Sequence, residues 1–319
     1  MPEGQARRPD PQQRRIAASV YRGWKSPQQG RDLTDSGPGK LTLEIGHHSR
    51  AFPKLATLLA LALPIHAQPP TRDNILQQLE SNLQHYDKDV PSLFCDEHVV
   101  SQVTPGLRNQ NTVTDSVFRL KRILNRDHSN TLDESREVKT VNGHPPASKD
   151  EIEGPSVISG AFEGGLAVVS LGQRACMNYT LQRPKRNDPN APYVITFSTV
   201  LTPENTANCL LQEKTTGRAS IDPAAMQITH LELTTPHHTI IPESPYESAI
   251  KGQRVLTVDY SPIQLDGQTF WMPAVITSRS ISGAGTFHAI VWSFRATYRN
   301  FHRLEVTSRI LPAGETPAQ

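Results

Sequence analysis

Two clusters in the chain hold residue types that do chemistry. Cys95-Asp96-Glu97-His98 places a thiol, two carboxylates and an imidazole in four consecutive positions. A thiolate nucleophile needs its base beside it in space, and neighbours on a strand point to opposite faces. An exposed edge strand with a buried or disulfide-linked cysteine accounts for the same residues. His230, Glu232, His237, His238 and Glu243 form the second cluster, imidazoles and carboxylates of the kind that bind transition metals. The spacing is not that of a paired-histidine helix motif, and the adjacent histidines diverge, so a solvated strand end with a Pro236 and Pro242 loop is expected, not a metal site. Arg218, Asp222 and Glu232 read as an ion pair or cap at neighbouring strand ends.

No Gly-x-Ser-x-Gly elbow, Walker loop or dinucleotide fingerprint occurs, and Gly283-Ala-Gly285 is too short to cradle a phosphate. No catalytic residue and no cofactor are therefore expected. What remains is apolar: Phe270, Trp271, Trp292, Phe294 and Tyr298, with Phe301 nearby, are candidates to line a hydrophobic pocket, or simply to fill a core.

Three cysteines, Cys95, Cys176 and Cys209, leave one thiol over if two pair. Cys176 and Cys209 both flank candidate strands and are the expected pair. The absence of Cys-x-x-Cys and Cys-x-x-His spacings argues against a structural zinc site.

These groups are positioned by a chain of 319 residues. Residues 1–50 are rich in Arg, Gln, Pro, Gly and Ser without apolar periodicity and read as a disordered or mis-started leader. Arg50 to Lys54 then precede an apolar run, 55–63, and Pro64-Ile-His-Ala67. A basic segment, a short apolar stretch and a small residue at the cut describe a signal peptide over 51–67. The run is too short for a bilayer core, which needs about 20 residues. Such a late signal suggests a translation start downstream of Met1, near Leu41–Ile45, and no cysteine follows the cut to carry a lipid.

The leader carries ten Lys/Arg and five Asp/Glu, leaving 23 basic and 26 acidic residues of the chain's 33 and 31, a net charge of −3 beyond Ala67. That balance offers no field for nucleic acid.

From residue 68 on, a single domain is expected. Ile75, Leu76, Leu79, Leu83 and Tyr86 share one stripe of a helix over 71–86, with Thr71 as N-cap and Val90-Pro91 as its end. Strands follow at 94–103, 117–124 and 134–141, the last closed by Asn142-Gly143. Residues 144–165 read as a loop with a short helix, and 184–192 as a polar hairpin-like loop. Further strands are expected at 193–201, 218–222, 226–233, 254–260, 270–277, 288–298 and 302–310. In the segment 288–298, His288, Ile290, Trp292, Phe294, Ala296 and Tyr298 fall on one face, with Ser293, Arg295 and Thr297 on the other. Period-two alternation and short turns such as Asp266-Gly267 mean an antiparallel sheet with one buried and one wet face. A helix against such a sheet is an α+β layer arrangement, and a sheet this long curls.

The segments Gly217-Arg-Ala-Ser-Ile-Asp222, Met226-Gln-Ile-Thr-His-Leu-Glu232, Val258-Asp-Tyr260, Ile263-Gln-Leu-Asp-Gly267 and Phe270-Trp-Met-Pro273 carry a family resemblance. Ala296-Thr-Tyr-Arg-Asn-Phe301 and Leu304-Glu-Val-Thr-Ser308 complete it. Together they resemble exported bacterial proteins similar to the outer-membrane lipoprotein-carrier (LolA-like) superfamily. The resemblance implies a long curved sheet, an open and incomplete β-barrel, wrapped around one to three helices. It also implies an apolar cavity for acyl chains or a hydrophobic partner segment. The expected function is thus an exported, non-enzymatic binding protein, peripheral to the membrane, for a lipid-like or hydrophobic ligand. Two other classes remain open: an envelope structural or interaction module whose core is filled by its own side chains, and a hydrolase whose cleft gathers His98, His230 or His288 with a carboxylate.

Overall fold

The computed structural model describes residues 70–103, 110–124, 130–146, 165–182, 188, 190–240, 250–284 and 287–304. The leader, the signal segment 51–67, most of the 144–165 and 184–192 loops, Glu243 and residues 305–310 lie outside these residues.

Helix α1, Arg72–Asp89, starts where Thr71 accepts a hydrogen bond from the Asn74 N–H (3.2 Å) while Asn74 accepts from the Thr71 N–H (3.3 Å), a reciprocal capping box. It runs on past the expected end at Tyr86 to Asp89; Asp87-Lys88-Asp89 is polar and adds nothing to the apolar stripe, so the periodicity does not reveal this last turn. Its last carbonyls are satisfied from outside. Arg122 donates through Nε to the Val90 carbonyl (2.9 Å) and through Nη1 to that of Asp87 (2.6 Å). Ile75, Leu76, Leu79 and Tyr86 are buried.

Ten strands follow: β1 (Leu93–Val103), β2 (Gln110–Leu124), β3 (Asn130–Val141), β4 (Met177–Gln182), β5 (Tyr193–Thr199), β6 (Thr216–Ile221), β7 (Ile228–Ile240), β8 (Ile250–Leu265), β9 (Gln268–Ala284) and β10 (Phe287–Arg303). They form one antiparallel sheet in the order β3-β2-β1-β10-β9-β8-β7-β6-β5-β4, open at β3 and β4. This is the long, incomplete α+β half-barrel expected from the alternation.

Its curvature follows from the helix. Arg122 ties the C-terminus of α1 to β2, and Arg72 at the other end donates to the Tyr179 carbonyl of β4 (3.2 Å). Those strands are eight places apart, about 38 Å on a flat sheet at about 4.8 Å per strand. An 18-residue helix is only about 27 Å long, so the sheet must wrap around it.

Three expectations are corrected. β1 is no edge strand: it pairs with β2 on one side and β10 on the other. No turn separates a strand ending at Tyr298 from one beginning at His302. The chain passes through a bulge opposite Phe94–Asp96, with Asn300 at φ 55°, and β10 continues to Arg303. Asparagine tolerates this left-handed backbone, which is why the strand bends there without ending. His230 and Glu232 do not end a strand either, since β7 runs to Ile240 past a bulge between Thr235 and His238. The Asp266-Gly267 turn is a two-residue hairpin with positive φ at both positions, 51° and 77°.

Candidate functional site

The inner face of the sheet is laid down in cross-strand rows. Val99, Ala296, Ile276, Val258, Leu231, Ala219 and Ile195 stand opposite one another on seven consecutive strands, and none is more than 3% exposed. The next row runs Ser101, Phe294, Ser278, Leu256, Leu233, Gly217, Phe197, Tyr179. Gly217 is required there: a Cβ would stand 2.3 Å from the Phe197 ring and 2.6 Å from the Glu232 carbonyl oxygen. Seven strands span about 29 Å, whereas one helix with its side chains is about 10–12 Å across. The apolar wall is therefore much wider than α1.

The candidate aromatics do not gather in one pocket. Phe270 is buried and Trp271 partly buried at the α1 end, in a cleft with Leu79, Leu83, Tyr86 and Ile228. The space left there is about 30 Å³, room for one or two water molecules. Trp292 packs edge-to-face on buried Phe294, centroids 5.1 Å apart. It stands opposite Ser280, ten residues along β9 from Phe270 and so about 33 Å away. Tyr298 lies between these ends, edge-on to Phe118 at 5.6 Å. The set traces the length of the half-barrel.

Beside Tyr298 lies an ion pair that local sequence reasoning missed. Glu97 is 2% exposed, and Arg136 Nε donates to both of its carboxylate oxygens at 2.9 and 3.0 Å. The guanidinium also lies over the Phe118 ring, 4.9 Å from its centroid. Burial opposes the arginine's charge, but the adjoining Glu97 carboxylate more than offsets this and raises its pKa. Burial, and Glu97 after it, hold the Tyr298 phenol well above its ordinary value. Among the described residues, Arg136 Nη2, Ser278 Oγ and the Tyr260 hydroxyl are buried without a hydrogen-bond partner. Cys95 is a free, buried thiol whose pKa is pushed up by burial and then by Glu97 and Asp96, which suits packing and not nucleophilic attack.

Cys176 and Cys209 are disulfide-bonded with Cα atoms 5.6 Å apart. The bridge pins the segment entering β4, whose Leu166, Ala167, Val168 and Val169 are buried, to the loop carrying buried Leu210 and Leu211. Tyr179 donates to the Val168 carbonyl (2.7 Å), and Gln173 accepts from the Leu210 N–H (3.0 Å).

The outer face holds imidazole–carboxylate pairs. His98 Nδ1 is 2.7 Å from Asp115 and His230 Nδ1 is 2.6 Å from Asp259. A third pair lies on the inner face: Arg254, opposite buried Thr235 and Ser280, reaches Glu213 at 3.3 Å, and His238 pairs with the same carboxylate. Glu213 is half-buried, which would raise its pKa, but its bond to His238 holds it below the ordinary value. Ser220 stands opposite His230 in register, yet no hydrogen bond joins them, so the row lacks an activated nucleophile. His288 has no described side chain. Arg218 and Glu232 face each other across β6 and β7, and Asp222 caps its own turn by accepting from the Ala224 and Ala225 N–H groups. Among the described residues, no three His, Cys, Asp or Glu side chains are grouped to hold a metal ion, and no helix is long and apolar enough to cross a membrane.

Three solved structures are similar to this chain. A LolA superfamily protein of Nitrosomonas europaea aligns at 7% identity and a TM-score of 0.30, over 73% of this chain and 94% of its own. A domain of Vibrio parahaemolyticus, described as an outer-membrane lipoprotein-sorting protein, aligns at 11% identity and 0.32, over 72% and 92%. A DUF1329 family protein of Desulfovibrio piger aligns at 10% and 0.34, over 73% and 95%. No family model matches the sequence, and no curated protein does.

Proposed function

We propose that this chain is an exported, non-enzymatic binding protein that holds a lipid-like or hydrophobic ligand against the inner wall of its half-barrel. The observation that supports this is the inner wall itself: an apolar row runs over seven strands of an open half-barrel, wider than α1 alone can cover, and no residue of it is more than 3% exposed, so the rest of its cover is supplied by other segments of the protein. Each CH₂ buried on such a wall contributes about 0.8 kcal/mol, so a long acyl chain is held without a charged anchor. The cleft beneath α1 is nearly full, so a ligand enters by displacing part of the packing there. The exported form begins after Ala67 and stays peripheral to the membrane.

A second reading has its own support. With only about 30 Å³ free beneath α1, the protein works equally as an envelope interaction module whose core is permanently filled. Displacement of a fluorescent fatty acid from the purified domain 68–319 separates the two. Saturable binding, competed by unlabelled fatty acid, is expected for a ligand holder; fluorescence that never saturates supports the filled module.

A further inference from the structure

On the outer face of the sheet, β10 presents Arg295, Thr297 and Arg299 at alternate positions, between the buried Phe294, Ala296 and Tyr298. Opposite them in register on β1 stand Val100, His98 and Asp96. Bulges in the β1–β10 and β2–β3 pairings flank the patch, which forms an open depression of about 660 Å³.

The carboxylates in this depression are engaged. Asp96 accepts from Asn300 Nδ2 (2.7 Å), and Asp115 accepts from the Thr140 hydroxyl (2.8 Å) besides pairing with His98. Glu137 is shared between Arg119 and Lys139, whose hydrogen bonds hold its pKa down at about 2. Arg295 and Arg299 are exposed and have no ion pair or hydrogen-bonding side chain among the described residues. Lining the depression, Lys139, Arg295 and Arg299 face the carboxylates of Asp96, Glu97 and Asp115, and Glu97 is already paired with Arg136, so three cations stand against two further carboxylates. The chain beyond Ala67 is acidic as a whole.

We propose that this outer face holds a site for a phosphate ester, gripped by Arg295 and Arg299 with Thr297 and His98 between them. Two guanidinium forks and a hydroxyl match the oxygens of a phosphate in geometry and charge. Alternate strand positions are about 6.7 Å apart, so both arginines flank the threonine from the same side of the sheet. The site is on the opposite face from the apolar wall, so this inference and the fatty-acid reading fail separately.

The test uses the purified full chain at low salt, with three probes: inorganic phosphate, glycerol 3-phosphate, and vesicles of phosphatidylglycerol against phosphatidylcholine. Saturable binding to at least one phosphate probe is expected, weakened about tenfold by Arg295→Gln or Arg299→Gln and less by Arg→Lys at either position. Binding to the soluble phosphates alone identifies a free phosphate ester as the source. Binding to phosphatidylglycerol alone identifies a lipid headgroup. Binding to none of the probes, equal binding to both kinds of vesicle with none to the soluble phosphates, or binding that the Gln variants leave within about twofold overturns the proposal. Unchanged thermal unfolding of these outward-facing variants confirms that the fold is intact.

Discussion

Glu97 and Arg136 meet on the inner face although 39 residues separate them, because β1 and β3 both flank β2. Neither charge is individually comfortable there. Removing one partner leaves the other buried and uncompensated, which costs about 3–5 kcal/mol. Arg136→Met is expected to lower stability by that amount in urea unfolding, and Glu97→Gln added to it should restore a good part. A neutral result for the single variant would mean the pair is solvated. Asp87 is a different, largely buried acid: burial, with Glu80 adding to it, raises its pKa to about 6 against the pull of Arg122, and its Oδ1 has no hydrogen-bond partner among the described residues. The folded state therefore holds a proton that the unfolded state has already lost between about pH 4 and pH 6, so stability falls as pH rises through that window. Asp87→Asn is expected to stabilise the protein at pH 7 by about 1–2 kcal/mol, allowing for the side chain's remaining contact with solvent, with no gain below pH 4. A variant less stable at pH 7 would contradict this. Neither residue was legible as buried from the sequence: Glu97 shares the inward parity of Leu93, Cys95 and Val99, but a carboxylate reads as exposed until its partner Arg136, two strands away on β3, is known.

At the scale of elements, what repeats locally was legible and what depends on distant neighbours was not. The stripe Ile75, Leu76, Leu79, Tyr86 and the Thr71 cap identify α1, and the alternation of Phe294, Ala296 and Tyr298 identifies β10. The early parts of β2 and β3 escaped, because Gln110–Thr114 and Asn130–Asp133 are polar and owe their strand form to ladder partners. The bulge at Asn300 reads as a turn for the same reason, since a single left-handed residue carries no signal that the ladder resumes beyond it. The aromatic set was legible as apolar and inward-facing residues, while its spread along β9 and β10 only emerges from the register. Cys176 and Cys209 close a loop across a sequence separation of 33 residues, which in the chain-entropy account stabilises the fold by about 3–4 kcal/mol. The double variant Cys176→Ser, Cys209→Ser is expected to lose that much in chemical denaturation. An unchanged midpoint would show that the buried Leu166–Val169 and Leu210–Leu211 segments hold without the bridge.

For the molecule as a whole, the decisive feature is a mismatch of widths. A ten-stranded open sheet bends around α1 and turns inward more apolar surface than that helix alone can cover, while its outer face gathers arginines and paired carboxylates. The wall is buried in the structure together with Leu166–Val169 and Leu210–Leu211, so a cargo binds by taking the place of such segments. Native mass spectrometry of domain 68–319, purified from cells without detergent, tests this most directly. The expected spectrum shows the folded protein carrying an extra apolar mass that denaturation releases and that added fatty acid replaces. A folded protein with the bare polypeptide mass, unchanged by excess fatty acid, would contradict the account.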